Sequence, residues 1–247
     1  MKNVTAVVVG GGEGTRLNEG MPSPRPKVLY EVLGKPLISY SLKALKDVGI
    51  NDIIVVVGYM GEEIKKVLGP SYRYTIQKEP LGTADAALSA LSRIPDETLH
   101  VAVLYGADIY TNYLLKEVIS LHLEKEPEVT LVTKIMEEPG KLGRIVRDES
   151  GEISAIVEEK VATDEQKKIK EVNDGCFIFK KDWLLENIKA ISLSAAKEYF
   201  LTDLVEIAIN QKVKVATYTI ERDGDWIGVD TTEDIKSAEE LLKGQER

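Results

Sequence analysis

Cysteine and histidine are scarce in this chain of 247 residues. It has one cysteine, Cys176, and two histidines, His100 and His122. A single cysteine forms no internal disulfide, and these three residues cannot make up a structural zinc site of the usual Cys and His type. Any bound metal ion would therefore need carboxylate ligands.

Long apolar runs are missing as well. Runs such as Val4 to Val9 and Ile53 to Val57 are far shorter than the roughly 20 residues that a membrane helix needs. The N-terminus leads directly into a strand-like run and lacks the apolar stretch and cleavage site of a signal peptide. We therefore expect a cytoplasmic protein that has no membrane partner.

An excess of positive charge is also absent. The chain has 32 Lys and Arg residues but 41 Asp and Glu residues, which gives a net charge of −9 and a pI of about 5.0. General binding to nucleic acid needs clustered Lys and Arg, so we expect no nucleic-acid partner. An anionic ligand must then be bound by a few local cations and by backbone amides. With 43% hydrophobic residues, the chain can bury a sizeable core.

The first half alternates β-branched runs with amphipathic segments. The strand-like runs are 4–9, 53–57, 72–76 and 99–104, and the helix-like segments are 37–46, 62–68 and 83–91. This alternation predicts βαβ units, which form a mainly parallel sheet with helices on both faces.

The pattern changes after about residue 124. Strand-like runs at 129–135, 144–146 and 153–157 are joined by short turns, which predicts antiparallel strands in a substrate-facing lobe. Helices are expected at 183–188, 199–209 and 232–243, with a strand at 213–219. We find no repeat and no linker, so one continuous α/β unit with two lobes is the simplest interpretation.

A glycine-rich loop, Val9-Gly10-Gly11-Gly12-Glu13-Gly14-Thr15-Arg16, follows the first strand, where an α/β sheet places its ligand crevice. The loop lacks the third glycine of a dinucleotide fingerprint and the Gly-Lys-Ser/Thr of a Walker loop. Those loops enter a helix, whereas Pro22, Pro24 and Pro26 are expected to keep this chain extended. A glycine turn without a ligand remains the alternative.

Glycines let backbone amides approach a nucleotide closely, and Arg16 and Lys27 can supply positive charge to a triphosphate. Taken alone, Lys27 is equally compatible with a solvated surface lysine.

Several segments together resemble sugar-1-phosphate nucleotidyltransferases. The N-terminal ones are Gly11-Gly12-Glu13-Gly14-Thr15-Arg16-Leu17, Pro26-Lys27 and Gly34-Lys35-Pro36-Leu37. Further segments are similar to the bacterial N-acetylglucosamine-1-phosphate uridyltransferase group, and they extend the resemblance over nearly the whole chain: Gln77-Lys78-Glu79-Pro80-Leu81-Gly82-Thr83-Ala84, 143–147, 155–160, 162–166, 171–173, 198–203 and 228–230.

The resemblance implies a Rossmann-like α/β fold of the nucleotide-diphospho-sugar transferase type with a small antiparallel sugar-binding lobe. It implies one domain over residues 1–247, with a nucleotide-binding part at about 1–124, a sugar-binding part at about 125–230 and a C-terminal helix at 231–247. The implied reaction is magnesium-dependent uridylyl transfer from UTP to N-acetylglucosamine 1-phosphate. Bifunctional members carry a further acetyltransferase domain, which the resemblance does not extend to here.

The resemblance also implies roles for individual residues. The glycine loop would hold the uridine, Gln77 would bond the uracil edge, and a later group would contact the sugar. A glutamine amide carries both a donor and an acceptor, which suits an imide edge. The substrate-binding residues that it implies are Val9, Gly10, Gly11, Gly12, Gly14, Thr15, Gln77, Gly82, Thr83, Tyr105, Gly106, Gly143, Glu158, Asn173, Tyr199 and Thr202.

Four residues are expected to carry the chemistry: Arg16, Lys27, Asp108 and Asp230. Asp108 follows a strand and Asp230 precedes the last helix, so both can reach the crevice as Mg²⁺ ligands. The alternatives are that Asp230 caps the helix and that Asp108 only ends a turn. Likewise, Glu158 can be a solvated charge, and Thr202 can bond its own backbone.

The chain departs from the family pattern at four positions, one of which is Pro80 in place of a frequent Gln. Ala107 separates Gly106 from Asp108, Asp230 stands where the uridyltransferases commonly have Asn, and Asp174 replaces a frequent Thr. The sequence therefore leaves open a nucleotidyltransferase that uses dTTP, CTP or UTP with another sugar or polyol phosphate. A non-catalytic nucleotide-sugar sensor is a further alternative, and the oligomeric state is unknown.

Overall fold

The computed structural model describes residues 3–19 and 23–245. Within these ranges the strands are β1 Val4–Val9, β2 Glu31–Val32, β3 Lys35–Pro36, β4 Ile53–Val57, β5 Arg73–Ile76, β6 His100–Tyr105, β7 Ile109–Tyr110, β8 Val129–Ile135, β9 Arg144–Arg147, β10 Ile153–Val157, β11 Glu171–Lys180, β12 Val215–Ile220 and β13 Trp226–Ile227. The α-helices are α1 Thr15–Asn18, α2 Leu37–Asp47, α3 Gly61–Leu68, α4 Thr83–Ala90, α5 Asn112–Lys125, α6 Asp164–Lys167, α7 Lys181–Asn187, α8 Asp203–Asn210 and α9 Thr232–Gln245.

Nine strands of the described chain form one mixed sheet, in which β10-β9-β11-β6-β1-β4-β5 is the continuous order and β8 and β12 extend from β11. The strands β6, β1, β4 and β5 run parallel to one another. The long strand β11 is antiparallel to β6, β8 and β9, so it joins the parallel part to the antiparallel lobe. At this junction, the pairing of β11 with β8 shifts register between Asn173 and Phe177.

Alternating side chains of β1 show how the helices cover both faces. Ala6 and Val8 belong to the core layer that packs against α2, while Val7 belongs to the layer that packs against α4. Both faces of a parallel strand are buried in such a three-layer arrangement, which explains why this strand reads as an unbroken apolar run.

The carboxyl ends of the four parallel strands meet at one edge of the sheet. Gly10 follows β1, Gly58 follows β4, Gln77 follows β5 and Gly106 follows β6. Loops at this edge of an open α/β sheet form the usual ligand crevice, so the fold brings three of the predicted substrate-binding positions together.

The predicted α/β class with a mainly parallel sheet in the first half is confirmed, and the bounds of β1, β4, β8 and β10 agree with the sequence prediction. Among the described residues, no helix combines the length and the apolar character needed to cross a membrane.

Two local expectations need correction, and two of the longer elements were not predicted. The glycine loop does enter a helix, the single turn α1, and 27–29 form a 3-10 turn; Pro22 lies outside the described residues. The helix α5 was not predicted, although Thr111 caps it. Strand β11 was also not predicted as a strand. The helix expected from residue 199 begins at Asp203, because 199–202 form a turn against α4 instead.

Candidate active site

The glycine-rich loop is held by backbone contacts to its neighbouring strands. Gly10 N donates to Val56 O at 2.8 Å, and Gly106 N donates to Val9 O at 2.8 Å. A Cβ on Gly106 would lie 3.0 Å from the same oxygen, so a larger residue would separate β6 from β1. Nothing lies within 4 Å of a Cβ built on Gly12, which leaves this part of the loop open.

Gly14 brings the loop against Lys27. Its φ of 65° lies in the left-handed region, and a Cβ at this position would lie only 2.8 Å from Lys27 Cβ. Glycine meets both requirements without strain. Thr15 then begins α1 and is exposed to solvent.

The two predicted cations meet one carboxylate. Lys27 Nζ lies 2.5 Å from Asp230 Oδ1, and Arg16 Nη2 lies 3.0 Å from the same oxygen. Partial burial raises the pKa of Asp230, but Lys27 and Arg16 outweigh it and hold the pKa below its ordinary value. Asp230 is therefore an ionised carboxylate shared by two cations.

Thr231, rather than Asp230, caps the last helix. Thr231 Oγ1 accepts a hydrogen bond from Asp234 N at 3.2 Å, and the Asp234 carboxylate accepts from the backbone N–H groups of Asp230 and Thr231. This reciprocal arrangement satisfies the first backbone donors. The side chain of Asp230 is left to face the cations.

Asp108 is buried beside this group, with 7% of its surface exposed. Its Oδ2 accepts a hydrogen bond from Trp226 Nε1 at 3.1 Å, and Asp108 N donates to Tyr105 O across a turn that contains the buried Ala107. Burial raises the pKa of Asp108, and the positive charge of Lys27 offsets only part of this shift, so that the pKa is about 7. The Ala107 turn therefore leaves Asp108 within electrostatic reach of Lys27 and Asp230.

A cavity of about 230 Å³ lies at the centre of the site. Its lining includes Lys27, Tyr105, Asp108, Gly143, Glu158, Asn173 and Asp230, all predicted from the sequence, together with Lys141, Leu142, Asp174, Trp226 and Gly228, which were not predicted as site residues. A wider cavity of about 570 Å³ adjoins it and is lined by Arg16, Asp230 and Trp226 among others.

Asp174 is the least expected member of this lining. It has 1% of its surface exposed; its Oδ1 accepts from Cys176 N at 2.7 Å, whereas Oδ2 has no hydrogen-bond partner among the described residues. Burial raises its pKa well above the ordinary value, and the nearby Asp108 raises it further. The only signal in the sequence was the replacement of a frequent family Thr.

The predicted sugar-binding residues gather on the other wall. Thr202 Oγ1 donates to Glu158 Oε1 at 3.0 Å, so Thr202 bonds this carboxylate and not its own backbone. Burial raises the pKa of Glu158, and the bond from Thr202 partly opposes the shift, so Glu158 is not a freely solvated charge. Asn173 N donates to Gly143 O at 2.9 Å and ties these two predicted residues together.

A separate cluster forms at the end of β5. Gln77 Nε2 donates to Gly82 O at 3.0 Å and to Asp85 Oδ2 at 2.9 Å. Gly82 has a φ of 105°, and a Cβ there would lie 2.5 Å from Tyr199 O. Thr83 Oγ1 accepts from Leu201 N at 2.9 Å. Sequence reasoning named all of these except Asp85, whose contact with Gln77 depends on the fold.

The donor set suits a hard divalent cation. Asp108 and Asp230 both line the central cavity and supply carboxylate oxygens. In the described part of the chain, no group of three or more His, Cys, Asp and Glu side chains is arranged to hold a metal. One or two carboxylates, with the remaining ligands from phosphates and water, is the usual arrangement for Mg²⁺.

This arrangement combines cations, carboxylates and open backbone around one crevice. Lys27 and Lys141 can meet phosphate oxygens, the carboxylates can hold a cation, and the glycine loop permits close approach of a planar group. Such a site suits the transfer of a phosphoryl-containing group by positioning and charge neutralisation.

Comparison with known families agrees with this geometry. The family model described as "Nucleotidyl transferase" matches residues 5–244. The chain belongs to the nucleotidyl transferase family.

The sequence similarity to curated relatives extends over essentially the full chain. The chain is 36% identical to the bifunctional protein GlmU of Heliobacterium modesticaldum, with 100% of this chain and 54% of the relative covered. It is 32% identical to the bifunctional protein GlmU of Acetivibrio thermocellus, over 99% of this chain and 53% of the relative. The chain thus spans about half the length of the curated relatives that it matches.

A solved structure supports the fold at a greater sequence distance. A crystal structure from Bacillus anthracis, described as a glucose-1-phosphate thymidylyltransferase in complex with a sucrose, superposes with a TM-score of 0.79. The two share 18% identity, and the match covers 97% of this chain and 95% of the other. This similarity concerns the fold alone.

Proposed function

We propose that the protein transfers a uridylyl group from UTP to N-acetylglucosamine 1-phosphate, giving UDP-N-acetylglucosamine and pyrophosphate. The observation that carries the proposal is the meeting of Lys27, Asp108 and Asp230 on one cavity, which Glu158 also lines. The sequence resemblance of residues 77–84 and 155–173 to the uridyltransferases and the match to the bifunctional relatives over the same residues support the choice of base and sugar.

In the proposed reaction, an oxygen of the sugar phosphate attacks the α-phosphorus of UTP in line. The new bond joins this oxygen to the α-phosphorus, and the bond between the α-phosphorus and the oxygen bridging to the β-phosphate breaks. Pyrophosphate leaves with that electron pair. Because the nucleophile is already an anion, no general base is needed, which agrees with the lack of histidine among the residues that line the cavity.

Lys27 and Arg16 have the main electrostatic role in this account. Both hold Asp230 in the structure, so their positions are fixed before substrate arrives. Preorganised cations stabilise charge that builds on the α-phosphoryl and pyrophosphate oxygens, because they do not need to reorient during the reaction. Lys141, on the rim of the same cavity, adds a third cation within the substrate region.

Asp108 and Asp230 would hold Mg²⁺, with phosphate oxygens and water as further ligands. When bound, the ion would neutralise charge on the triphosphate and orient it. We assign no role as metal ligand to the other residues of the cavity.

The proposal assigns residues at about 1–124 to the nucleotide and residues at about 125–230 to the sugar. Val9 to Gly12 with Gly14 and Thr15 would contact the nucleotide, as would Gln77, Gly82, Thr83, Tyr105 and Gly106. The sugar would contact Gly143, Glu158, Asn173, Tyr199 and Thr202. A cytoplasmic location is part of the proposal, because both substrates are phosphorylated metabolites that are held inside cells.

Release of pyrophosphate tests the proposal. Protein with Mg²⁺, UTP and N-acetylglucosamine 1-phosphate should release pyrophosphate, and EDTA should abolish the release. Parallel reactions with CTP, dTTP and GTP examine the base. Faster turnover with CTP or dTTP than with UTP would reject the base assignment, and no turnover with any of the four would reject nucleotidyl transfer.

A further inference from the structure

The orientation of the Gln77 amide group is fixed by two acceptors. Its Nε2 lies 3.0 Å from the carbonyl oxygen of Gly82 and 2.9 Å from Asp85 Oδ2. Neither partner can donate a hydrogen bond in its ordinary form, so both contacts require the NH₂ end of the amide at this place. Both amide hydrogens are thereby used inside the protein.

The Gly82 carbonyl is itself held in place. Tyr199 N donates to Leu81 O at 2.7 Å, and Ala84 N donates to Tyr199 O at 3.0 Å, so the turn before α4 is clamped on both sides. Asp85 lies in the first turn of α4, directly after this clamp. Gln77 is 9% exposed, and it therefore has little freedom to rotate.

The remaining polar atom of the amide faces the glycine loop. A Cβ built on Gly11 would lie 2.8 Å from Gln77 Oε1. Gly11 also lies against Gly58, because a Cβ built on Gly58 would lie 2.9 Å from Gly11 O. Gln77 therefore presents one acceptor, and no donor, beside the loop that is expected to hold the base.

We infer that Asp85 is a positioning residue that sets base selectivity. By accepting a hydrogen bond from Gln77 Nε2, it fixes the orientation of the Gln77 amide, so that only Oε1 faces the ligand. We call this fixed orientation the lock; with it, the site favours a base with a protonated ring nitrogen over cytosine. This inference rests on the proposed function. The imide N–H of uracil can donate to Oε1, whereas N3 of cytosine carries a lone pair that would face it. Unpaired buried acceptors are costly, so the mismatch is rejected.

A purely structural role for Asp85 makes a different prediction. A carboxylate in the first turn of a helix stabilises that helix through its charge. In that case, D85A and D85N would behave alike, since both remove the charge, and the binding of every nucleotide would change equally. The lock requires only an acceptor oxygen, which the asparagine side chain of D85N retains at the same reach.

The first measurement is the dissociation constant of UTP and of CTP by calorimetry, without sugar phosphate, for the parent, D85A and D85N. We expect the preference for UTP over CTP to fall about tenfold in D85A, the scale of one hydrogen bond, and to remain near the parent value in D85N. S89A, on the same helix without contact to Gln77, is the matched control and should keep the parent preference. Equal weakening of both nucleotides in D85A, or equal effects of D85A and D85N, would overturn the inference.

The second measurement needs no nucleotide. In ¹⁵N-correlated NMR spectra, the two side-chain N–H signals of Gln77, assigned by their loss in Q77E, should be well separated and slow to exchange in the parent and in D85N. In D85A they should exchange faster. Rapid exchange in the parent would contradict the lock, whereas intact signals with no binding of UTP or CTP would contradict the proposed function and leave the lock standing.

Discussion

Lys27 Nζ lies 2.5 Å from Asp230 Oδ1, and this contact joins the segment after the glycine loop to the start of the last helix. The two residues are 203 positions apart in the sequence. With Arg16 on the same oxygen, the contact closes one side of the proposed active site.

Lys27→Ala should lower kcat on the order of 10²-fold or more, because it removes a preorganised cation from the place where charge builds in the transition state. Steady-state pyrophosphate release measures the change. Lys43→Ala is the matched control, since Lys43 also pairs with a carboxylate at 2.5 Å but is largely exposed on α2. Activity of Lys27→Ala within a few-fold of the parent would return Lys27 to the role of a surface lysine.

Asp108→Asn should cost most of the activity, whereas Asp230→Asn should be mild. An asparagine at 230 keeps an oxygen that can accept from Lys27 and coordinate Mg²⁺, as the resemblance implies for relatives with Asn there. Asp108 would supply the remaining carboxylate for the metal. The measurement is kcat against Mg²⁺ concentration after circular dichroism has established folding. Equal and severe losses would show two indispensable carboxylates.

Gly82→Ala should destabilise the protein by about 3 kcal/mol, because it combines an unfavourable left-handed backbone with a clash against Tyr199 O. Gly151→Ala is the control: its φ is 86°, but a Cβ there would meet nothing within 4 Å. The free energy of unfolding of this control variant should fall by only about 1 kcal/mol. Urea unfolding of both variants gives the comparison, and equal losses would mean that the Tyr199 contact does not constrain Gly82.

Stability should fall in acid partly through His122. Burial, together with the nearby His100 and Lys180, lowers its pKa to about 3. Below an unfolded pKa of about 6.5, the unfolded chain binds a proton that the folded protein excludes. The contribution of His122 is therefore complete above pH 6.5 and is lost as the pH falls towards about 3.

The slope of this loss is at most about 1.4 kcal/mol per pH unit. His122→Gln removes the titrating group, so its free energy of unfolding should depend less on pH between 6.5 and 4 than that of the parent. Urea titrations at several pH values measure the difference. Parallel curves for the two proteins would show that His122 does not titrate differently in the folded and unfolded states.

The sequence predicts the sheet better than the site. Val4–Val9 and Ile53–Val57 are β-branched runs buried on both faces, and such runs are unambiguous when they alternate with amphipathic segments. The helix Asn112–Lys125 could also have been found, because Leu114, Leu115, Val118 and Ile119 recur at helical spacing behind the Thr111 cap.

The side-chain contacts inside the site could not be predicted from the sequence, because they depend on the tertiary structure. Asp85 reaches Gln77 only because the turn at Gly82 folds back on Tyr199, and Trp226 reaches Asp108 only because β13 pairs with β7. No local pattern specifies either pairing. The segments that would form the site were identifiable by resemblance, whereas the hydrogen bonds that orient their side chains required the three-dimensional arrangement.

The most direct test of the account is a competition in one reaction. The protein would receive Mg²⁺ with equal concentrations of UTP, CTP, dTTP and GTP, together with N-acetylglucosamine 1-phosphate, glucosamine 1-phosphate and glucose 1-phosphate, and mass spectrometry would identify the nucleotide sugars formed. The account predicts that UDP-N-acetylglucosamine dominates, and that Lys27→Ala forms it far more slowly. Dominance of a product with another base or another sugar, or the absence of any nucleotide sugar, would contradict it.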